Sequence, residues 1–411
     1  MAKQNTIVGL DVGTTKVAVV VGHIEEGLIK IIGLGVAKNS GLRKGVVVDV
    51  EETVSAISAA IEQAERTSGE TINSAFVGIG GAHITITESK GVIAVSRADG
   101  EIAPSDIDRV VEAARTVAMP PNQEILHVLP KDFIVDGQEQ IKDPVGMNGI
   151  RLETEALVIS GAVSAIKNLT RCVFQAGLEI NGLVFSPLAD AKALISKKQK
   201  ELGIALVNLG AGTTEFAIFE EDDLIGAGVI PVGSMHITND IAIGLRTNID
   251  AAERIKIKEG SANPESIRET ETVEMSKFDP HDNQKVPRKY LSEIIQARLS
   301  EIFNLIREQL HTAGKDGMLP AGIVLTGGGS KLEGLVKEAK EGLRLPVQIG
   351  KIFYPVEGII DKINDPIYST SVGLMLWGLE EQDHGSSRRM NIGNFGGALE
   401  RAKDFFKQFL P

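Results

Sequence analysis

The chain has 411 residues and a formal net charge of −12 at pH 7, and 43% of its residues are hydrophobic. This length is typical of two or three domains, and the apolar content suffices for a buried core in each. The acidic charge argues against nucleic-acid binding, which usually needs a basic face, and a single cysteine, Cys172, excludes intramolecular disulfides and thiolate metal clusters. No secretory leader precedes the first predicted strand, and no apolar run reaches the roughly 18 residues of a spanning helix. We therefore expect a folded cytosolic protein whose membrane contacts, if any, are local.

The first predicted element is a hairpin with a turn rich in glycine and threonine. Apolar stretches at residues 7–10 and 17–21 flank the turn Asp11-Val12-Gly13-Thr14-Thr15-Lys16. About half a chain later, residues 204–207 and 216–219 flank Asn208-Leu209-Gly210-Ala211-Gly212-Thr213-Thr214-Glu215. Glycine lets a backbone approach a ligand closely, and successive N–H groups with threonine hydroxyls suit a polyphosphate. One such turn is most often only a turn, but two at corresponding places predict a duplicated fold that closes on a nucleotide from both sides.

In the rest of the first half, predicted strands alternate with predicted helices. Asp49 is the expected N-cap of a helix whose apolar face includes Val54, Ile57, Ile61 and Ala64. A strand at residues 74–79 leads into an α+β insertion at 84–162. Within it the pattern predicts a helix at 104–117 and strands at 125–129, 132–135 and 155–160. A helix at 164–176 and a strand at 179–185 follow.

The second half begins at about residue 203. Its pattern predicts helices at 235–243, 250–259, 289–312 and 370–379, and a strand at 323–326. The polar stretch 261–288 is expected to form exposed hairpins or loops. Gly327-Gly328-Gly329-Ser330 follows the strand and is expected to lead directly into a helix containing Leu332 and Leu335, which would place a phosphate or nucleoside at a helix start.

Two further groups of residues are candidates for ligand binding. Asp11 could hold Mg²⁺, directly or through water, although a capping role in the turn is the simpler alternative. Glu253 and Lys256 lie three apart on a predicted helix and could frame a ribose or base, with a solvated ion pair as the alternative. The predicted nucleotide-binding residues are Asp11, Gly13, Thr14, Thr15, Lys16, Asn208, Gly210, Gly212, Thr213, Thr214, Glu253, Lys256, Gly327, Gly328, Gly329 and Ser330.

The order hairpin, hairpin, Gly-Gly-Gly-Ser loop resembles the actin-like ATPase superfamily over about residues 6–380. The insertion points to one family within this superfamily. Residues 125–130, 135–138, 143–147 and 149–153, together with 244–247 and 252–256, are similar to the FtsA family of bacterial cell-division proteins. The resemblance implies an actin-like (ribonuclease H-like, duplicated) α/β fold of two domains, with an inserted α+β subdomain that takes part in filament contacts.

On this resemblance the chain divides into six parts. The predicted boundaries are 1–83 with 163–202 and 364–381 for the first core subdomain, 84–162 for the insert, 203–233 with 318–363 for the second core subdomain, 234–317 for a small subdomain, 382–397 for a flexible linker and 398–411 for a terminal amphipathic helix.

The terminal segment carries its own signal. In a helix over residues 398–410, the large apolar side chains share one face and the charged ones lie around the other. Docking on the protein itself or on a partner is the alternative to membrane binding. The predicted membrane-binding residues are Leu399, Arg401, Lys403, Phe405, Phe406, Lys407, Phe409 and Leu410.

The resemblance implies ATP and Mg²⁺ as ligands, and FtsZ, further copies of this chain, an anionic membrane surface and other division proteins as partners. It places the protein peripherally on the cytoplasmic face of the membrane at the division site, with the FtsZ contact on residues 234–317. Actin-like ATPases usually carry aspartate in both hairpins, whereas the second here has Asn208, which cannot act as a base. Residues 184–190 offer only Asp190 to orient water, so we assign no catalytic residue and expect at most a slow ATPase. A PilM-like pilus-assembly scaffold and a small-molecule kinase are the rival functions.

Overall fold

The computed structural model describes residues 6–25, 28–117 and 121–387. The strands are β1 (Thr6–Val12), β2 (Lys16–Glu25), β3 (Leu28–Lys38), β4 (Leu42–Arg43), β5 (Val46–Val47), β6 (Ser74–Ile79), β7 (Ile84–Ala94), β8 (Gln123–Val135), β9 (Gln138–Ile141), β10 (Arg151–Ala162), β11 (Glu179–Phe185), β12 (Ile204–Leu209), β13 (Thr214–Glu220), β14 (Asp223–Ile230), β15 (Thr272–Glu274), β16 (Lys285–Pro287), β17 (Ile323–Thr326), β18 (Val347–Ile349) and β19 (Val356–Gly358).

The helices are α1 (Val50–Ser68), α2 (Pro104–Val117), α3 (Val163–Gln175), α4 (Ser186–Leu194), α5 (Lys197–Leu202), α6 (Ser234–Leu245), α7 (Ile249–Glu259), α8 (Arg288–Thr312), α9 (Leu335–Leu343), α10 (Ile360–Ile363) and α11 (Ser369–Ser387). Among the described residues, no helix combines the length and the apolar content that crossing a bilayer requires.

The two core sheets repeat one design. The first has the strand order β11-β6-β1-β2-β3-β19, and the second has β14-β13-β12-β17-β18. In each sheet a hairpin pairs antiparallel, and its first strand pairs parallel with the next strand of the sheet, β6 or β17. The predicted duplication is therefore confirmed at the level of sheet topology.

Helix α1 shows how the local sequence sets an element on the first sheet. The Asp49 carboxylate accepts a hydrogen bond from the Glu52 N–H at 3.1 Å, as expected of the predicted N-cap. The helix ends at Gly69, whose φ of 74° is the left-handed conformation that favours glycine. Ile57 and Ala64 are buried against the sheet, as their spacing predicts.

The insert forms a separate sheet, β7-β10-β8-β9, covered by α2. The two strands predicted at 125–129 and 132–135 are instead one strand, β8. Pro130 cannot donate to a neighbouring strand, and a register shift between Glu155 and Ala156 on β10 lies beside it. The β-bulge therefore accommodates a proline that the sequence pattern marks as a strand end.

Contacts of a buried histidine join the insert to β11 of the first core sheet and to α11. His127 of β8 accepts a hydrogen bond from the Phe185 N–H at 3.0 Å and packs edge-on against Trp377 of α11. Burial lowers the pKa of His127 to about 4, so the ring is neutral at pH 7.

Helices α6, α7 and α8 and the β15–β16 hairpin pack with the second core sheet in one hydrophobic core. Part of the stretch expected to be exposed is buried, because Val273, Met275 and Phe278 join the core that lines α8. Helix α11 continues to Ser387, so residues 382–387 of the predicted linker are helical. The rest of that linker and the predicted terminal helix lie outside the described residues.

Candidate functional site

The two glycine-threonine turns have the same length and the same closing hydrogen bond. The Gly13 N–H donates to the Lys16 carbonyl at 2.9 Å, and the Gly210 N–H donates to the Thr213 carbonyl at 3.0 Å. The turns meet across the cleft, since a Cβ on Gly212 would lie 2.8 Å from the Thr14 hydroxyl. The structure thus brings together the two predicted loops that lie about 200 residues apart in the sequence.

Cross-strand pairing determines which side chains stand below each turn. Asp11 pairs with Ala18 in the first hairpin, and Asn208 pairs with Glu215 in the second. Paired residues project on the same face of a sheet, so Glu215 shares the cleft side of β13 with Asn208. The cleft therefore contains a glutamate with no counterpart in the first hairpin.

Asp190 of α4 connects the two halves at the floor of the cleft. Its carboxylate accepts a hydrogen bond from Asn208 Nδ2 at 2.7 Å and another from the Thr370 hydroxyl at 2.9 Å. The residue is fully buried. Asn208 belongs to the second core sheet and Thr370 to α11, which packs against β1 of the first core sheet, so this carboxylate connects the two.

Burial raises the pKa values of all three cleft carboxyls. Asp190 reaches about 7 through burial and the nearby charge of Asp11, against the lowering effect of its two hydrogen bonds. Burial, followed by the charges of Asp190 and Asp11, raises the pKa of Glu215 to about 8, although hydrogen bonds from Thr213 and the Gly81 N–H favour its ionised form. The pKa of Asp11 rises through burial, which outweighs the opposing effect of Lys16. Such a cluster gains stability when a cation enters it.

The Gly-Gly-Gly-Ser loop lies against the second hairpin. A Cβ on Gly327 would lie 2.3 Å from Asn208 Oδ1, and its φ of 83° is left-handed. The Ser330 hydroxyl donates to the Gly327 carbonyl at 2.7 Å. The loop enters a short 3₁₀ helix, Gly328–Lys331, and α9 begins only at Leu335, so Leu332 precedes the helix that was predicted to contain it.

Glu253 and Lys256 form an ion pair at 2.7 Å on α7. Lys256 Nζ also donates to the Thr238 hydroxyl at 2.8 Å and to the Ser234 carbonyl at 3.2 Å. Burial lowers the pKa of Lys256, so the alternative of a solvated surface pair does not describe its ammonium. The Ser234 N–H donates to the Gly210 carbonyl at 2.8 Å, which places this pair one helix away from the second turn.

The roles of two cleft residues go beyond the sequence-based predictions. The sequence pattern places Glu215 only within the second turn, and it offers Asp190 only as a weak water-orienting side chain. The hairpin register itself supplies the signal for Glu215, because a strand pairing that places Asn208 opposite Glu215 puts both on one face. Asp190 gives no such signal, since its two partners come from distant parts of the chain.

The pKa of Glu215 leads to a prediction about stability. Its folded-state pKa of about 8 exceeds the ordinary value of 4.5, so stability is lost as the pH rises from about 4.5 through 8. Glu215→Gln cannot ionise and is expected to raise the free energy of unfolding by roughly 2 kcal/mol at pH 8.5 but by much less at pH 5. Urea unfolding without nucleotide measures both. Glu62→Gln, on the exposed face of α1, serves as the control and should change little at either pH; equal effects of Glu215→Gln at the two pH values would contradict the assignment.

Sequence comparisons identify the family. The family described as "Cell division protein FtsA" matches residues 205–373, and the "SHS2 domain inserted in FTSA" matches residues 81–160. Cell division protein FtsA of Pseudomonas aeruginosa is 41% identical over 97% of this chain and 96% of its own length. The Bacillus subtilis relative is 40% identical over 91% of this chain and 84% of its own, and that of Escherichia coli K12 is 33% identical over 93% of each.

Solved structures share the fold at low identity. The "PilM-PilN type IV pilus biogenesis complex" aligns with a TM-score of 0.66 and 16% identity, covering 91% of this chain and 98% of that one. MreB5 of Spiroplasma citri bound to ADP aligns with a TM-score of 0.55 and 14% identity, covering 93% and 99%. These likenesses confirm the predicted actin-like fold, and the high-coverage relatives decide the family within it. The chain belongs to the FtsA family of cell division proteins.

Proposed function

We propose that this protein binds Mg²⁺-ATP between its two hairpins, polymerises, and anchors FtsZ filaments to the cytoplasmic membrane through its terminal segment. The observation that carries the nucleotide part is the meeting of two equivalent glycine-threonine turns above a buried group of carboxyls. The family membership supports the role in division. The anchoring part rests on the terminal sequence.

The cleft residues fit a magnesium-bound polyphosphate. Gly13 to Lys16 and Gly210 to Thr214 would hold the phosphates, and Asp11 would hold the metal. The described residues contain no group of three His, Cys, Asp or Glu side chains arranged for a metal. Mg²⁺, however, commonly takes one or two carboxylates plus phosphate oxygens, so Asp11 suffices for this role. When bound, Mg²⁺ would offset the negative charge of the phosphates and of the cleft.

The nucleoside would lie on the side of the second half. A Cβ on Gly328 would have no atom within 4 Å, so there is room beside this residue for a ligand. Contacts with Asn208 and Leu209 hold the Gly-Gly-Gly-Ser loop in place. The Glu253–Lys256 pair stands on α7 behind the N-terminus of α6. We assign these elements to the ribose and base, as the family resemblance implies.

The same geometry favours holding ATP over hydrolysing it. Asn208 donates to Asp190 and has no basic atom to offer to water. Asp190 already accepts two hydrogen bonds, so its carboxylate is occupied by positioning Asn208 and Thr370. We therefore propose a nucleotide-dependent scaffold with at most slow turnover.

A single terminal segment would bind a membrane weakly. Five large apolar side chains contribute at most about 1.5–3 kcal/mol each if fully buried, and interfacial depth and helix ordering remove much of this. Residues 398–407 carry three basic and two acidic side chains, so anionic lipid adds little per molecule. Firm attachment would then require several linked tails, as on a filament. Polymerisation would thereby control membrane binding.

The proposed partner-binding surfaces are the ones that the family resemblance implies. The small subdomain, residues 234–317, is proposed to contact FtsZ, and the insert is proposed to contribute to filament contacts. A PilM-like scaffold shares the fold but gives no role to a terminal amphipathic segment. A small-molecule kinase would need a catalytic base, which Asn208 does not supply.

Liposome co-sedimentation tests the anchor. A chain ending at Gly397 is expected to lose lipid binding and the recruitment of FtsZ to liposomes, with or without ATP, because it lacks the apolar face. Phe406→Asp should have most of this effect, since it places a charge on the apolar face, whereas Glu400→Gln on the polar face should retain binding. Lipid binding that survives truncation at Gly397 would overturn the anchoring proposal.

A further inference from the structure

A tight turn between β4 and β5 lies directly beside both glycine-threonine turns. Leu42 pairs with Val47 and Arg43 with Val46, which leaves Lys44 and Gly45 as the two central residues of the turn. A Cβ on Gly212 would lie 3.0 Å from both the N and the Cα of Lys44, and 2.8 Å from the Thr14 hydroxyl. The backbone of this turn thus meets the tips of both hairpins.

The turn is fixed from two sides. The Lys44 carbonyl accepts a hydrogen bond from the Ala82 N–H at 3.0 Å, and a Cβ on Gly45 would lie 2.4 Å from the Gly81 Cα. On the other side, Asn39 Nδ2 donates to the Gly13 carbonyl at 2.8 Å, and the Asn39 N–H donates to the Thr15 carbonyl at 3.0 Å. The segment that leads into the turn is therefore tied to the first hairpin.

Lysine is an unfavourable residue for this position. The φ angles of Lys44 and Gly45 are 50° and 76°, and a two-residue turn with both angles positive normally carries Asn-Gly or Asp-Gly. Strain held at a site is a pointer to function when the site offers a chemical reason. Here the reason is charge, because the cleft beside this turn would receive a polyphosphate.

Lys44 has an ammonium free for a ligand. The side chain is exposed, and among the residues that the structure describes it pairs with no carboxylate. Its four-carbon stem is flexible, so the ammonium can turn toward a phosphate that lies between the hairpin tips. Lys16 is the cation whose charge acts on Asp11 and Asp190.

We propose that the β4–β5 turn forms a third wall of the phosphate cleft and that Lys44 is the residue that distinguishes a nucleoside triphosphate from a diphosphate. This inference rests on the proposed nucleotide binding and deepens it. Because the turn meets the tips of the hairpins rather than their strands, its cation would contact the terminal phosphate more than the inner ones.

Calorimetric titration of the full chain with ATP and with ADP, both in Mg²⁺, tests the inference. Lys44→Asn removes the ammonium but places a favoured residue in the turn, so the fold should be retained and the thermal midpoint without nucleotide should not fall. We expect this variant to bind ATP about tenfold more weakly and ADP within about twofold of wild-type, whereas Lys44→Arg retains ATP affinity. Lys30→Asn, an exposed lysine on β3, is the control and should match wild-type for both ligands.

The titrations separate a wrong role for Lys44 from a failure of the proposed nucleotide binding. If wild-type binds ATP and ADP and Lys44→Asn weakens both equally or neither, the role of Lys44 is wrong while the nucleotide site stands. If wild-type binds neither nucleotide, the proposed nucleotide binding fails and the inference fails with it.

Discussion

Replacing Asn208 with aspartate should destabilise the protein strongly at pH 8 and only slightly at pH 5. The Nδ2 of Asn208 lies 2.7 Å from Asp190 Oδ2, so Asn208→Asp would place a second carboxylate at hydrogen-bonding distance from a fully buried one. At pH 5 the new group can hold a proton and donate it to Asp190. At pH 8 the buried pair would either keep a proton that the unfolded chain has released or carry two like charges, and either outcome would cost about 3 kcal/mol.

Proton linkage gives the direction in which the stability of Asn208→Asp changes with pH. The folded-state pKa of the new carboxyl would be raised above its unfolded value of about 3.9, so stability is lost as the pH rises through the folded pKa. Urea unfolding of both proteins at pH 5 and pH 8 measures the difference. Asn208→Ala is the matched control, because it removes the hydrogen bond without adding charge and should cost about 1–2 kcal/mol with a smaller dependence on pH. Equal losses for Asn208→Asp at the two pH values would show that Asp190 is not its neighbour.

Gly327→Ala is expected to destabilise the second half by about 3 kcal/mol, whereas Gly328→Ala next to it should be nearly neutral. A Cβ at Gly327 would meet Asn208 Oδ1 at 2.3 Å and the Leu209 carbonyl oxygen at 2.7 Å, and the residue has a left-handed φ. Overpacking and an unfavourable backbone angle add in the same direction. No atom lies within 4 Å of a Cβ at Gly328.

Thermal and urea unfolding of the two variants test this contrast. Both variants replace a glycine of one loop with alanine, so the change in composition is the same. Comparable stabilities would mean that the loop is not seated on the second hairpin. Because Gly328 faces open space, Gly328→Ala also offers a folded variant in which nucleotide affinity can be measured.

Local sequence patterns predicted much of this fold. The hairpins, the Asp49 cap and the helix at 104–117 follow from periodicity and capping chemistry, which act between residues close in the chain. The duplication was recognisable because Asp11 and Asn208 occupy equivalent places in two similar turns. The family resemblance extended this to the insert and is confirmed by the relatives.

Contacts between residues distant in the sequence determine the features that local patterns do not predict. Pro130 marks a strand end by local rules, yet a bulge in β8 itself, which leaves Lys131 without a pairing residue on β10, keeps Pro130 within the strand. The stretch around Met275 is polar overall, but its few apolar residues are buried against α8. Asp190 acquires its role from Asn208 and Thr370, which lie 18 and 180 residues away, and no local pattern can specify such a contact.

Helix α11 relates the cleft to the end of the chain. Its first turn supplies Thr370 to Asp190 and Ser371 to the Ala18 carbonyl, and a Cβ on Gly373 would lie 1.9 Å from the Ala189 carbonyl oxygen, so α11 and α4 pack backbone to backbone. The helix has 19 residues and continues about 21 Å beyond that contact to Ser387. The described part of the chain therefore ends on the side of the first core sheet, and a change in the angle between the two core sheets would reorient α6–α8 relative to the end of α11.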